Sequence, residues 1–294
     1  MIKTDTKRDI VFVVICYTFV AVLVVLTFYP FWDLFILSIS PRSEALKPGL
    51  RLFTTAPTLK AYKTVFESHE IIRSFLNSVL RVVVGTVFSL GVTALTAYPL
   101  SKREMPFNKL VTFIILFTMI FSGGMIPSYL LIKDLHIMNT IWALILPSAV
   151  TAYNLIIMRN FLESLPPSLE ESACIDGASY VTIWYKIVLP LSKPVLATVM
   201  LWIAVAHWNN YFDAMIYMHD RSKFTLPVVL RRILLENELD KYLPEGAIDT
   251  GNAPQTPETT KGAIVMVSTI PIICVYPFIQ KYFTKGVMLG AVKG

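Results

Sequence analysis

The stretch Glu171-Ser172-Ala173-Cys174-Ile175-Asp176-Gly177-Ala178 leads, through Ser179 to Lys186, into Ile187-Val188-Leu189-Pro190, and it lies between two long apolar blocks. Pro166-Pro167 just ahead of it stops any preceding helix, because proline has no N–H and its ring crowds the turn behind. Ser168 is a capping residue type, Glu170 and Glu171 fall in the first turn of the helix it would open, and Gly177 ends that helix. A second short helix, Tyr180 to Val188, places Ile183, Trp184 and Ile187 on one side before Pro190 and Pro194 frame the next apolar block. The segment from Arg159 to Lys193 therefore reads as a helix-turn-helix lying at a membrane face.

The membrane enters through what surrounds this segment. The chain has 294 residues, 55% hydrophobic and only 16% charged, with a mean hydropathy of +0.61, whereas soluble domains carry about 25% charged residues. A helix crossing the hydrocarbon layer of about 30 Å needs about 20 mainly apolar residues. Six such blocks stand out, at about 10–29, 76–98, 110–132, 137–157, 194–212 and 263–283, and together they predict an all-α integral membrane protein with one transmembrane domain over 1–294. Gly85, Gly91, Ser122-Gly123-Gly124, Pro127, Pro147, Pro271 and Pro277 interrupt or border the blocks. They fit close packing and tolerated kinks, or a hinge or pathway lining.

The formal charge of +6 does not form the basic stripe with interleaved aromatics that nucleic acid requires. Lys and Arg gather at block edges instead, where they flank a bilayer. Cys16, Cys174 and Cys274 have neither disulfide-framework nor metal-ligand spacing. The polar start, Met1 to Asp9, precedes an apolar run longer than a signal-peptide core, so the first block is expected to stay as an anchor. Charge counting orients the helices only weakly, because the connections on the two sides carry balanced numbers of Lys and Arg.

Glu171, Ser172, Ala173, Gly177, Ile187, Leu189 and Pro190, with Asp176 and Ala178 completing an Asp-Gly-Ala, resemble the EAA loop of bacterial ABC importer permeases. Its pattern is Glu-Ala-Ala, three residues, Gly, nine residues and Ile-x-Leu-Pro, and only Ser172 departs from it. The resemblance implies the type I ABC importer permease fold with six transmembrane helices. It also implies that this loop is the cytoplasmic coupling helix, with Glu171, Ser172, Ala173, Asp176, Gly177, Ala178, Trp184, Ile187, Leu189 and Pro190 engaging a separate ATPase. An interfacial helix gripping lipid headgroups through Trp184 and Lys186 is the alternative. With the loop 159–193 cytoplasmic, both termini fall inside and the loop 214–261 falls outside, facing an extracytoplasmic solute-binding protein.

Two further matches narrow the family. The terminal Val292-Lys293-Gly294 resembles the end of the smaller permease of maltose-type importers, which implies a tail reaching the ATPase dimer. The segment Trp208-Asn209-Asn210-Tyr211-Phe212 resembles the Trp-Asn segment of carbohydrate importer permeases, and oligosaccharide permeases of Gram-positive bacteria are the nearest group by this reading. His207, Trp208, Asn209, Asn210, Tyr211 and Asp213 are then the substrate-pathway candidates, since aromatic faces stack on sugar CH groups while Asn and His bond hydroxyls. Aromatic residues at helix ends also form interfacial belts.

The chain has no Gly-x-x-x-x-Gly-Lys-Ser/Thr phosphate loop. It is expected to be a non-catalytic subunit, without cofactor or metal of its own, with ATP and Mg held by a dimer of partner ATPases and the pathway completed by a second permease, in the bacterial cell membrane. Three other readings compete with this one. A permease for amino acids, phosphate or metals would share the EAA loop but not the other two matches. A membrane transferase would need an acid-base pair that His136, His207, Asp213 and His219 are too dispersed to make. A secondary transporter would show an internal repeat.

Overall fold

The computed structural model describes residues 7–102, 104–244 and 255–291, with side chains from 10 to 102, 104 to 244 and 255 to 274. Helices make up every regular element among these residues, as a hydrocarbon solvent demands of backbone that must bond within its own segment. In chain order, α1 (Lys7–Ile39), the single turn α2 (Arg42–Ala45) and α3 (Lys60–Glu67) are followed by α4 (His69–Leu100). Next come α5 (Asn108–Ile120), α6 (Met125–Asp134), the short α7 (Ile141–Ile145) and α8 (Ala152–Glu163). The polar connection holds α9 (Ser168–Ile175), α10 (Tyr180–Ile183) and α11 (Leu189–Leu191). The last are α12 (Lys193–Asn209), α13 (Phe212–Tyr217), α14 (Leu226–Leu235) and α15 (Pro257–Ala291).

Among the described residues, α1 and α4 are the single helices long and apolar enough to span a bilayer, and three further pairs qualify if each bent pair counts as one span. The block expected at 110–132 is two helices, α5 and α6, set at 114° to each other across Phe121 to Gly124. The block expected at 137–157 begins at Ile141 and turns through 54° between Ser148 and Ala152. That expected at 194–212 ends at Asn209, and the helices from Tyr180 to Leu191 meet α12 at 79°. Apolar composition sees none of these turns, because a broken and a straight helix carry the same side chains. The blocks at 10–29, 76–98 and 263–283 lie inside the longer α1, α4 and α15. The connection expected at 214–261 carries helix at both α13 and α14.

The chain forms two compact units where the sequence reads as one domain. The first comprises Met1–Ile72 and Arg232–Thr269. In it the segment after α1 is tied down by polar contacts. Trp32 Nε1 donates to the Leu52 carbonyl at 2.9 Å, and the Glu44 carboxylate accepts from the Thr54 hydroxyl at 2.7 Å. Thr64 reaches Gln255 at 3.2 Å.

The second unit comprises Arg73–Arg231 and Ile270–Gly294. Its core joins Ala94, Ala97 and Leu100 of α4, Leu155, Met158 and Leu162 of α8, Ile183 and Val188 of the polar connection, and Val195, Val199 and Ile203 of α12. Toward the other end of α4 the helices come closer still. A Cβ on Gly85 would lie 2.6 Å from Nε2 of the buried His207, so only glycine lets α4 and α12 meet there. Gly85→Ala is expected to cost about 1–3 kcal/mol through overpacking, read as a lower melting temperature of the detergent-purified protein. Adding His207→Ala should recover part of that loss.

Candidate functional site

The EAA-like segment folds as a compact corner. Pro167 ends the approach to α9, and Glu170 and Glu171 occupy its first turn, where a carboxylate meets the positive end of the helix dipole. No side chain caps α9, so Ser168 begins the helix and does not cap it. Its far end closes by two hydrogen bonds, Ala178 N–H to Ala173 O at 2.9 Å and Gly177 N–H to Cys174 O at 3.0 Å. Gly177 has φ +80°. This is the Schellman arrangement, in which the residue after the cap takes the left-handed conformation that glycine adopts without a Cβ penalty. The positions Ala173, Asp176, Gly177 and Ala178 are thus explained by one turn, with Ala173 and Ala178 packed on the core.

Ser179 caps the next helix, its hydroxyl accepting from Thr182 N at 3.3 Å. From Trp184 to Val188 the helix widens to a π turn in which Leu189 N–H reaches the Trp184 carbonyl. Pro190 follows without an N–H, and the wider turn takes up the register it disrupts. The outcome divides this segment into two faces. Ile183 and Val188 are buried, and Trp184 and Ile187 pack half-buried against the core. Glu171, Ser172, Asp176, Gly177 and Pro190 are exposed, Leu189 is half-buried, and the most exposed of the large apolar side chains are Ile175 at 87%, Tyr180 at 75% and Val181 at 75%, with Tyr185 also outside. Trp184 and Ile187, expected to engage a partner, pack half-buried against the core of their own unit. Val292, Lys293 and Gly294 lie outside the described residues.

The pathway candidates separate in the same way. His207 and Trp208 are buried, with Trp208 edge-on to Phe75 at 5.8 Å between ring centroids. Asp213 receives both Nη atoms of Arg81, one at 3.0 Å. Arg81, 1% exposed, also donates to the Asn210 carbonyl at 2.9 Å, while the Asn210 amide donates to Asp213 at 3.0 Å. Asn209 and Tyr211 are the two candidates left exposed, and the Arg231 guanidinium lies 5.8 Å from the centre of the Tyr211 ring. Arg81 lies within the apolar block at 76–98. Its engagement with Asp213, 132 positions away, had no local signal.

Beside Arg81 is a cavity of about 300 Å³ whose polar lining is Asn77, Arg81, Asn139, Thr140, Lys223 and Thr225. Asn139, with φ +58°, organises one wall: its carbonyl accepts from Lys223 Nζ at 2.9 Å and its side-chain oxygen from the N–H groups of His219 and Asp220. Arg81 Nε and Thr225 Oγ1, on two residues of its lining, are buried and lack a hydrogen-bond partner. The residues of this cavity come from three separate stretches, 77–81, 139–144 and 218–225, so no single stretch of sequence announces them.

A family model for the binding-protein-dependent transport system inner membrane component matches residues 72–289. The polygalacturonan/rhamnogalacturonan transport system permease protein YtcP of Bacillus subtilis (strain 168) is 41% identical over 288 residues, covering 98% of this chain and 100% of the relative. Protein LplC of the same organism is 41% identical over 290 residues, covering 99% and 97%. Among solved structures, a chain of a bacterial ABC transporter involved in the import of the acidic polysaccharide alginate superposes with a TM-score of 0.89. It is 34% identical, and the match covers 96% of this chain and all of that one.

Removing one partner of a buried ion pair strands the other. Arg81→Met is expected to cost about 3–5 kcal/mol, whereas Arg81→Met with Asp213→Leu should come much closer to the parent. Thermal melting of the three purified proteins measures both.

Proposed function

The chain belongs to the family of binding-protein-dependent transport system inner membrane components, and from that premise we propose that it forms, with a second permease, the path by which an oligosaccharide crosses the bacterial cell membrane. The sugar is delivered by an extracytoplasmic solute-binding protein, and ATP with Mg is bound and hydrolysed on a separate pair of subunits. The membrane subunit itself is non-catalytic. Transport proceeds by alternating access, in which nucleotide and binding-protein contacts bias a conformational equilibrium. In this reading the corner from Ser168 to Pro190 is cytoplasmic, as are both termini.

One observation carries the reading: the two-faced corner closed at Gly177. Its inner face is fastened to the core by Ile183, Trp184, Ile187 and Val188, and its outer face offers Ile175, Tyr180 and Val181, a small apolar knob rimmed by Glu171 and Asp176. An exposed apolar cluster on a rigid support is what a groove on a partner recognises. We assign that partner as the ATPase, and the terminal Val292-Lys293-Gly294 as a second contact with it. Asn209, Tyr211 and the cavity beside Arg81 are the proposed sugar contacts.

The oligosaccharide is proposed to be acidic. The arginine over Tyr211 supports this, since a stacking ring backed by a cation suits a carboxylated sugar. So do the similar chains named for polygalacturonan/rhamnogalacturonan and for alginate.

Tyr180→Asp or Glu171→Lys should abolish recovery of the ATPase with the purified membrane complex, with membrane abundance unchanged. Undiminished recovery and normal uptake in both variants would remove the docking assignment. For the substrate, proteoliposomes holding the complete transporter are expected to take up labelled oligogalacturonate and to ignore a neutral maltooligosaccharide. Equal uptake of the two would exclude an acidic specificity.

A further inference from the structure

Glu170, the residue ahead of the motif glutamate, does not belong to the outer face. Its Oε2 accepts from the Tyr98 hydroxyl at 3.0 Å and its Oε1 from the Lys102 ammonium at 2.6 Å. The same ammonium lies 4.9 Å from the centre of the Tyr98 ring, so Tyr98, Lys102 and Glu170 form a closed triangle. The Glu170 and Lys102 side chains are 18% and 34% exposed. Charge-assisted bonds in such partial shelter are stronger than those of a surface pair.

The foot of α4, where Tyr98 and Lys102 sit, is itself anchored. The Leu100 carbonyl accepts from Arg159 Nε at 2.9 Å and from Asn108 Nδ2 at 2.9 Å, and the Lys102 carbonyl accepts from Asn108 Nδ2 at 2.8 Å. By contrast α9 has no buried residue of its own. Ala173 is the residue of α9 that packs half-buried on the core, and the bonds of Glu170 add the directional, charge-assisted tie to α4. Sliding apolar surfaces yield to a sideways push, whereas two bonds converging on one carboxylate resist displacement in any direction.

Arg81 lies on α4, 17 residues before Tyr98 in the sequence, which is about 25 Å along the axis. There the helix is fastened a second time, through Arg81 to Asp213 and to the Asn210 carbonyl, where α12 has ended and α13 begins. One unbroken helix thus connects the corner to the break beside the exposed Asn209 and Tyr211. A rigid element fixed at two points is one physical route by which a displacement passes between distant sites.

We propose that Glu170 is a positioning residue for transport: it ties α9 to Tyr98 and Lys102, so that movement of the corner is carried by α4 to the Asn210–Asp213 break. The inference rests on the reading of the corner as the ATPase-docking element. Glu170 itself makes no ATPase contact in this scheme. Its loss leaves docking and hydrolysis in place and removes the work they do.

The test uses the complete transporter, with its second permease, ATPase pair and binding protein, in proteoliposomes, and reads sugar moved per ATP hydrolysed. Glu170→Gln, Glu170→Lys and Lys102→Glu should each retain the ATPase on purification and hydrolyse ATP, while sugar per ATP falls about tenfold, the factor carried by one charge-assisted hydrogen bond. The exchange Lys102→Glu with Glu170→Lys should return the ratio to within about threefold of the parent, because the pair is restored in reverse. Tyr98→Phe, which removes a single hydroxyl and keeps the ion pair, should lower the ratio about twofold. An unchanged ratio in Glu170→Gln and Tyr98→Phe would overturn the proposal, as would an exchange no better than its single members. Loss of the ATPase from the Glu170 variants would overturn it too, by making Glu170 a docking residue. Failure of the docking reading is seen separately, as retention of the ATPase by Tyr180→Asp.

Discussion

Two hydrogen bonds across Gly177 decide how the polar connection is used. With Ala178 N–H on Ala173 O and Gly177 N–H on Cys174 O, the chain leaves α9 at a set angle, and Gly177 at φ +80° is the residue type that allows it. The direction of α10 follows, and with it the burial of Ile183 and the outward setting of Tyr180 and Val181. A corner with any other exit angle would turn a different stripe of the same residues toward the core. Burial of Ile183, Val188 and the half-buried Trp184 and Ile187 then holds the corner to α4, α8 and α12, each fully buried aliphatic side chain contributing about 1.5–3 kcal/mol. The outward residues depend on the inward ones for their rigidity.

The same economy of polar groups governs the apolar helices. Backbone in hydrocarbon must find its own partners, so a turn inside a membrane block is tolerated only where protein surrounds it or water reaches it. Among the described residues two blocks turn sharply, and a third turn falls at Ser192, just ahead of α12. At the end of α12 the exposed backbone is met by side chains: the Asn210 carbonyl accepts from Arg81, and the Asn210 amide bonds to Asp213. A buried cation and its counter-ion are thereby placed where the helix stops, which is how an expensive charge finds enough partners to remain. The exposed Asn209 and Tyr211 stand at this break, supported by residues with no freedom to turn outward.

The outward corner and the exposed break after α12 occupy different surfaces of the second unit, with α4 common to both. Gly85 lets α4 approach His207 closely, Arg81 fixes the break after α12, and Tyr98 with Lys102 holds Glu170. Gly85, Arg81 and Tyr98 sit on one helix and Lys102 just beyond it, a helix that sequence reading treats simply as a long apolar block.

Much of this was legible beforehand and for plain reasons. Charge content and block length give an all-helical membrane protein, and the spacing of Glu171, Gly177 and Leu189-Pro190 gives the family, because both are properties of chain order alone. Proline and glycine positions also announce the corner, since their backbone restrictions act locally. Which side of the corner faces inward was not legible: Trp184 and Ile187 suit a partner's groove as well as they suit the core, and only the exit angle at Gly177 separates the two. The turns at Phe121 to Gly124 and at Ser148 to Ala152 escape composition for the same reason. Arg81 with Asp213, and Glu170 with Tyr98 and Lys102, join residues far apart in the chain, so their pairing is decided by packing. The sequence by itself determined the elements, the solvent they require and the family; tertiary structure decided the partners of each charge, because a charge takes whatever group the folded helices bring within reach.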